Sequence, residues 1–179
     1  MKILAFAGSN STVSINKKLV TFASTFFSEN EVEILDLNDY EMPIYKREIE
    51  LEAGIPQSAK DFAAKIDASD LILLSTPENN GNFPAVFKNL MDWMSRIKGR
   101  KIFGEKNMFL MATSDGARGG ASVLEIAQKR FPFDGAQVVE VFSLPKYSEN
   151  FDPEKGITDE EKLAELKDKA ESVKQKMNQ

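Results

Sequence analysis

The residues best suited to chemistry in this 179-residue sequence lie in three short polar segments. The first segment, 8–16, has the sequence GSNSTVSIN and leads into a stretch of helical spacing. Small hydroxyl and amide side chains beside the free N–H groups of a helix N-terminus favour an anion, and a segment of this kind suits a monophosphate. A serine-rich turn that only caps a helix has the same composition, so this segment alone leaves both interpretations open.

The other two segments are suited to holding a flat ring. Segment 76–84, TPENNGNFP, follows an apolar run, and backbone groups in such a turn can bind the polar edge of a planar heterocycle. Segment 114–120, SDGARGG, has three glycines, which permit close approach of the backbone to a ligand. Glycine and proline are also ordinary turn residues, so the prediction of a ring site depends on the three segments lying together.

The composition excludes many other kinds of site. The chain has no cysteine and no histidine, which removes thiolate chemistry, imidazole metal sites and nucleophiles activated by histidine, and we predict no metal. Neither of the common nucleotide-binding loops, G-x-G-x-x-G and G-x-x-x-x-G-K-[ST], is present. The formal charge of −5 argues against nucleic acid as a partner. No stretch approaches the run of about 18 apolar residues that a membrane helix needs, so we expect a cytoplasmic protein without membrane contact.

Apolar runs alternate with segments of helical spacing, which predicts five consecutive strand–helix units in one domain, 1–179. Several runs are apolar on successive residues, as in strands covered on both faces, so we expect an α/β fold with three layers around a five-stranded parallel sheet. The predicted strands are 2–7, 31–37, 70–75, 107–113 and 137–142. The predicted helices are 14–28, 56–68, 84–98, 120–131 and 159–177.

This fold should bring the three segments together. In a doubly wound sheet the ligand cleft lies beyond the carboxyl ends of the strands, where the strand order reverses. The segments follow the first, third and fourth predicted strands, so they should line one cleft. The least regular stretch, 38–54, carries exposed aromatic residues, and it is predicted either to serve a site or interface or to cover the sheet edge. The apolar stripe of the last helix predicts packing on the sheet, with a coiled-coil seam as the alternative.

Taken together, the three segments resemble the NAD(P)H-dependent FMN reductases, a family with a flavodoxin-like fold. The family patterns are G-S-x-R-x-x-S-x-N, then P-E-Y-N-G followed by K-N-x-x-D-W, and finally S-P-G-x-x-G-G. The chain departs from them with Ser11 in place of the arginine, Asn79 in place of the tyrosine and Asp115 in place of the proline. The likeness extends over 1–152, and the matching residues are Gly8, Ser9, Ser14, Asn16, Pro77, Glu78, Asn80, Gly81, Lys88, Asn89, Asp92, Trp93, Ser114, Gly116, Gly119 and Gly120.

The resemblance implies FMN as the cofactor, NADPH or NADH as the co-substrate, and a flavin, quinone or similar small molecule as the electron acceptor. Because the flavin itself carries the redox chemistry, no catalytic side chain is expected. The first segment would bind the phosphate, 77–81 would hold the ring edge, and 114–116 would approach the ring from the other side. The resemblance also implies a homodimer or homotetramer. The implied cofactor-binding residues are Ser9, Ser11, Ser14, Ile15, Asn16, Pro77, Glu78, Asn79, Asn80, Gly81, Ser114, Asp115 and Gly116.

Two of the departures should weaken FMN binding. An arginine in place of Ser11 would add a charge-assisted contact to phosphate, which contributes about 1.5–3 kcal/mol, and Lys17 is the candidate replacement. The tyrosine replaced by Asn79 would supply an aromatic surface beside the ring. Among the matching helix residues, Trp93 lies on an apolar stripe and Asp92 has the spacing of a helical ion pair, so we expect that group to be structural.

Two other functions remain open at this point. A flavodoxin-type carrier would also hold FMN but would pass single electrons to protein partners. A binding protein of the same fold without cofactor would account for the residues that depart from the family. A response-regulator receiver shares the five-unit layout, but it requires acidic residues after the first strand, where this chain has Ala7, Gly8 and Ser9.

Overall fold

The computed structural model describes residues 1–178, and its centre is a five-stranded parallel sheet. The strand order is β2-β1-β3-β4-β5 and every neighbouring pair is parallel. This is the flavodoxin-like order, with its switch point between β1 and β3, so the predicted fold is confirmed. The strands are β1 Lys2–Ala7, β2 Glu31–Leu35, β3 Leu71–Ser75, β4 Lys106–Thr113 and β5 Ala136–Leu144.

Helices cover both faces of the sheet. They are α1 Ile15–Ser24, α2 Arg47–Ala53, α3 Gln57–Ala68, α4 Ala85–Met94, α5 Ala121–Arg130, α6 Tyr147–Asn150 and α7 Glu160–Met177. A short antiparallel pair, β6 Phe151–Asp152 and β7 Gly156–Ile157, lies between α6 and α7. Within residues 1–178, no helix combines the length and the hydropathy that crossing a membrane requires.

Two apolar layers hold the helices on the sheet. Leu4 and Phe6 of β1 face a core shared with α3, α4 and α5, whereas Ile3 and Ala5 face a core shared with α1 and α7. All five residues of β3 are buried, as expected for a central strand covered on both faces. The stripe of α7 packs into the second core, which bears out the sheet-packing interpretation of that helix.

The main differences from the predicted elements lie at helix ends, in the stretch 38–54, and in 147–157, where α6, β6 and β7 were not predicted. The stretch 38–54 is not wholly irregular, because it contains the end of a 3-10 turn, Leu37–Tyr40, and all of α2. The helix predicted over 84–98 ends at Met94, and Gly99 adopts its left-handed conformation (φ 82°) beyond that end. A tight turn such as Leu37–Tyr40 leaves no periodicity in sequence, which is why pattern alone did not locate it.

Candidate functional site

The three polar segments meet in one cleft at the carboxyl ends of β1, β3 and β4. Its volume is about 370 Å³. From the predicted set, Asn80, Gly81 and Gly116 lie outside the lining. The predicted residues that line the cleft are Ser9, Ser11, Ser14, Ile15, Asn16, Pro77, Glu78, Asn79, Ser114 and Asp115. Their contact with a cofactor stays a prediction, but their convergence at the switch point of the sheet is a feature of the structure.

The N-terminus of α1 forms one end of this cleft. The Ser14 hydroxyl caps the helix by accepting a hydrogen bond from the Lys17 N–H at 3.2 Å. The N–H groups of Ile15 and Asn16 belong to the first turn, where a helix offers donors without intrahelical partners. No acidic residue lies in this turn to neutralise the positive end of the helix dipole. The cleft therefore presents backbone donors and a hydroxyl to an anion, as the sequence predicts.

Close packing fixes where β1 ends. The Gly8 N–H donates to the Ser75 carbonyl at 3.0 Å, which continues the β1–β3 pairing into the loop. A Cβ atom at Gly8 would lie 3.0 Å from Phe87 Cγ and 3.2 Å from Thr76 Oγ1. A residue with a side chain would push β1 and α4 apart at the floor of the cleft, so glycine is required here by space rather than by backbone conformation.

The Asn16 side-chain amide is not free for a ligand, because it joins the ends of β3 and β4. It is 1% exposed, its Nδ2 donates to the Thr113 carbonyl at 3.0 Å, and its Oδ1 accepts from the Ser75 hydroxyl at 2.8 Å and the Thr113 N–H at 3.0 Å. One side chain thereby ties α1 to β3 and β4. The predicted phosphate contact of Asn16 is thus left to its backbone N–H.

The second segment turns at Asn80 and Gly81. Both have positive φ, 51° and 76°, and the flanking residues Asn79 and Asn82 exchange backbone hydrogen bonds of 2.9 and 3.1 Å. This is the geometry of a two-residue type I′ turn, for which Asn-Gly is the preferred pair. The turn leaves Asn79 and Asn80 exposed at the rim of the cleft.

Glu78 joins the second segment to the helix that follows the third. Its Oε2 accepts hydrogen bonds from the N–H groups of Ser122 at 2.9 Å and Val123 at 3.2 Å, in the first turn of α5. A carboxylate at this place satisfies two backbone donors and the helix dipole together. No local pattern predicts this cap, because the two partners are more than 40 positions apart in the chain.

Asp115 anchors the third segment. Its Oδ1 accepts from the Ser148 hydroxyl at 2.6 Å and from the Ser148 N–H at 3.0 Å, and these two hydrogen bonds lower the pKa of the Asp115 carboxyl. The Ser114 carbonyl accepts from the Tyr147 N–H at 3.1 Å, and the Gly116 carbonyl accepts from the Lys146 N–H at 3.2 Å. The third segment is therefore held by α6, and the aspartate provides side-chain contacts where the family has a proline.

Lys17, the predicted replacement for the missing arginine, is not free in the structure. Its ammonium group pairs with the Asp36 carboxylate, which follows β2, and this pair lowers the pKa of Asp36. Arg118 of the third segment is exposed and donates to the Ser122 hydroxyl at 3.2 Å. The phosphate end of the cleft therefore depends on neutral donors and the helix terminus.

The family residues of α4 have the structural role that the sequence predicts. Trp93 is fully buried, and its Nε1 donates to the Pro43 carbonyl at 2.7 Å. Asn89 donates to the same carbonyl at 3.1 Å and accepts from the Tyr45 N–H at 2.7 Å. Lys88 and Asp92 form a helical ion pair at 2.6 Å. These contacts hold the extended chain before α2 against α4.

A second polar cluster surrounds Glu50 of α2. The Tyr45 hydroxyl donates to Glu50 at 2.9 Å, and the Arg96 Nε lies 3.0 Å from both Glu50 oxygens. These two partners hold the pKa of Glu50 below its usual range. Residues before α2 also line a groove of about 590 Å³ that adjoins the cleft at Asn10.

The cleft fits FMN. Its anion end has the donors that a phosphate monoester needs, and its other walls are turns with exposed backbone. The groove beyond Asn10 extends the space available to a flat ring and a second small molecule. The residues that would hold the phosphate are Ser9, Ser14, Ile15 and Asn16, and those beside the ring would be Pro77, Asn79 and Ser114.

Comparison with known proteins agrees with this assignment. The family model for NADPH-dependent FMN reductase matches residues 1–149. An uncharacterized protein of Mycoplasma pneumoniae is 33% identical over 86% of this chain and 93% of its own length. A 2-hydroxy-1,4-benzoquinone reductase of a Burkholderia species is 34% identical over 68% of this chain and 64% of its own length.

Solved structures share the fold. The flavoenzyme FerB of Paracoccus denitrificans, an NAD(P)H:acceptor oxidoreductase, superposes with a TM-score of 0.76 at 24% identity, over 96% of this chain and 93% of its own. An FMN-dependent NADH-azoreductase of Bacillus anthracis in complex with FMN gives 0.71 at 14% identity, over 97% and 99%. The chain belongs to the NADPH-dependent FMN reductase family, and it is a flavin-dependent NAD(P)H oxidoreductase with FMN as its cofactor.

Proposed function

We propose that this protein reduces quinones or free flavin at the expense of NADPH or NADH in a ping-pong cycle. The observation that carries the proposal is the convergence of the three segments on one cleft, with a groove adjoining it at Asn10 that offers a place beside the ring. The nicotinamide and the acceptor would occupy this place in turn. The relatives named quinone reductases support a quinone as the acceptor.

The protein's own part in this reaction is to bind and to orient. The redox chemistry would be supplied by FMN when bound, because a flavin can take up two electrons as a hydride and return them, with a proton, to an acceptor. The first turn of α1 would hold the phosphate, and the backbone of Pro77–Gly81 would fix the ring edge. Backbone N–H groups near Asn80, together with the third segment, would stabilise negative charge on the reduced ring.

The groove next to the cleft suits a flat acceptor. Its walls include Tyr40, Met42, Val86 and Leu90, with Asn10 at the border with the cleft. Aromatic and aliphatic side chains bind the face of a quinone or a nicotinamide, and a single amide can fix its orientation. The function of an electron carrier needs no such groove, so this feature favours an enzyme that binds small molecules.

Steady-state kinetics test the cycle. Initial rates measured over a grid of NADPH and 1,4-benzoquinone concentrations should give parallel lines in double-reciprocal plots, because each substrate must leave before the other binds. Intersecting lines would indicate that both bind together and would contradict the proposal. The same grid with NADH in place of NADPH shows which nicotinamide cofactor has the higher kcat/KM.

We also propose that the protein acts as a homodimer, or as a dimer of such dimers, in the cytoplasm. Helix α2 has no buried residue, its Leu51 is 72% exposed, and Ile44, which lines the groove, is 71% exposed. A second copy that covers these side chains would remove apolar surface from water. Sedimentation of the wild type and of Leu51→Glu tests this: the variant should shift toward monomer, and an unchanged mass would contradict the proposed contact.

A further inference from the structure

A second groove leads away from the phosphate end of the cleft. It has a volume of about 490 Å³ and lies between α1 and the short β6–β7 pair. Val13 and Ser14 line both the cleft and this groove, so the two spaces are adjacent at the cap of α1. Along α1 the groove extends past Thr21 to Thr25, and eleven residues from Ser14 correspond to roughly 16 Å of helix.

One wall of the groove is aromatic and firmly supported. Phe22 and Phe151 meet edge to face with ring centroids 5.8 Å apart, and Tyr147 stacks on Phe151 at 4.8 Å. A Cβ atom at Gly156 would lie 2.0 Å from Phe22 Cε2, so the lack of a side chain lets the β6–β7 pair touch the ring directly. Rigid aromatic surface of this kind binds the face of a nucleobase.

The polar groups of the groove suit a nucleotide. Lys18 is exposed and, within residues 1–178, is in no ion pair, whereas Lys17 is paired with Asp36. A free ammonium group beside the cap of α1 can bind a second phosphate that follows the first. Glu154 also lines the groove, and its carboxylate can accept a hydrogen bond from an exocyclic amine.

We propose that this groove binds the adenosine half of FAD, so that the protein accepts FAD as well as FMN in the same cleft. FAD is FMN extended at its phosphate by adenosine monophosphate. A phosphate held by Ser14 and the first turn of α1 places that extension at the mouth of the groove. The inference rests on the proposed position of the FMN phosphate, and it adds a site for the base, the ribose and the second phosphate.

Titration of apoprotein with FMN and FAD, followed by flavin fluorescence, tests the inference. The wild type should bind FAD at least as tightly as FMN. Thr21→Trp, which fills the groove, should raise the Kd for FAD by about tenfold, equivalent to about 1.4 kcal/mol, and leave the Kd for FMN within about twofold. Lys18→Ala should weaken FAD binding by about threefold or more, and only at low salt.

Matched controls separate the groove from general damage. Thr21→Ser keeps the groove open, and Lys60→Ala removes an exposed charge on α3, so neither should change FAD binding. Thr21→Trp should also keep the wild-type melting temperature in the FMN-loaded form. Wild-type FAD affinity at least tenfold below FMN affinity would overturn the inference, as would equal loss of FMN and FAD in Thr21→Trp.

The same experiment distinguishes this inference from the proposed function. If FMN binds and NADPH reduces quinone while FAD fails to bind, the groove assignment alone is wrong. If neither flavin binds, the proposed function is wrong, and the groove assignment that rests on it is wrong as well. A rise in the KM for NADPH in Thr21→Trp, with both flavin affinities unchanged, would assign the groove to the adenosine half of the nicotinamide cofactor and would also overturn the inference.

Discussion

Asn16 and Thr113 are hydrogen-bonded to each other in both directions across the end of the sheet. The Asn16 Nδ2 donates to the Thr113 carbonyl, and the Thr113 N–H donates to the Asn16 Oδ1, each at 3.0 Å. The Ser75 hydroxyl donates to the same Oδ1 at 2.8 Å. The end of the first segment and the starts of the other two are thus held together by one amide, which makes the shape of the cleft depend on it.

Replacing Asn16 with alanine should damage both stability and binding. The Thr113 carbonyl, the Thr113 N–H and the Ser75 hydroxyl would lose their partner, so we expect the unfolding free energy to fall by about 3 kcal/mol or more, at roughly 1–3 kcal/mol for each unsatisfied group. FMN affinity should fall at least about tenfold. Urea unfolding and FMN titration measure the two effects. Asn30→Ala, which removes an exposed hydrogen bond, is the control, and equal behaviour of the two variants would contradict the role of Asn16.

The Glu78 cap predicts a graded loss of stability in two variants of this residue. Glu78→Ala leaves the N–H groups of Ser122 and Val123 without their acceptor and should lower the unfolding free energy by about 0.5–2 kcal/mol. Glu78→Gln keeps an acceptor oxygen but loses the charge at the helix dipole, so its loss should be smaller. Chemical unfolding gives the order wild type, Gln, Ala. Glu125→Ala, an exposed change on the same helix, should have no effect, and a Glu78→Ala variant as stable as this control would refute the cap.

The Asp115 contact predicts a pH dependence with a definite sign. Hydrogen bonds from Ser148 lower the pKa of Asp115 in the folded protein, so its contribution is complete above the ordinary aspartate pKa of about 3.9 and disappears as pH falls through the lower folded value. Near neutral pH the wild type should therefore have a higher melting temperature than Asp115→Asn, and this difference in melting temperature should shrink in acid. Asp168→Asn on α7 is the control. A difference that grows on acidification would contradict this assignment.

Restoring the family's arginine should tighten FMN binding. Ser11 is exposed at the rim of the phosphate end, so Ser11→Arg can add a charge-assisted contact that contributes about 1.5–3 kcal/mol, or roughly tenfold to hundredfold in Kd. The gain should diminish as salt is added. Ser28→Arg, which adds the same charge far from the cleft, should leave the Kd unchanged. No gain with Ser11→Arg would place the phosphate elsewhere.

Sequence patterns located the five strands of the parallel sheet, the longer helices and the cleft because these follow from local rules. The run at β1 was predicted over the bounds that the structure has, since a buried parallel strand is apolar on successive residues. Segment 76–84 was recognised as a turn from its proline and glycine residues, and Gly81 indeed has a positive φ of 76°. The convergence of three segments followed from the order of strands in a doubly wound sheet.

The contacts that hold the site together were outside the reach of those rules. The hydrogen bonds from the first turn of α5 to Glu78 and from Ser148 to Asp115 join segments that are distant in the chain. Nothing in the local sequence marks either partner. Lys17 appeared free for phosphate because its partner, Asp36, follows a different strand. Helix α2 was missed because its seven residues are too few to show a helical period.

Binding of FMN and riboflavin to the apoprotein, compared by fluorescence titration, tests the central claim most directly. Riboflavin has the same ring but no phosphate, and the claim is that the first turn of α1 binds that phosphate at one end of the shared cleft. We predict that FMN binds with one equivalent per chain and that riboflavin binds at least about tenfold more weakly. Equal affinity for the two flavins would contradict the account.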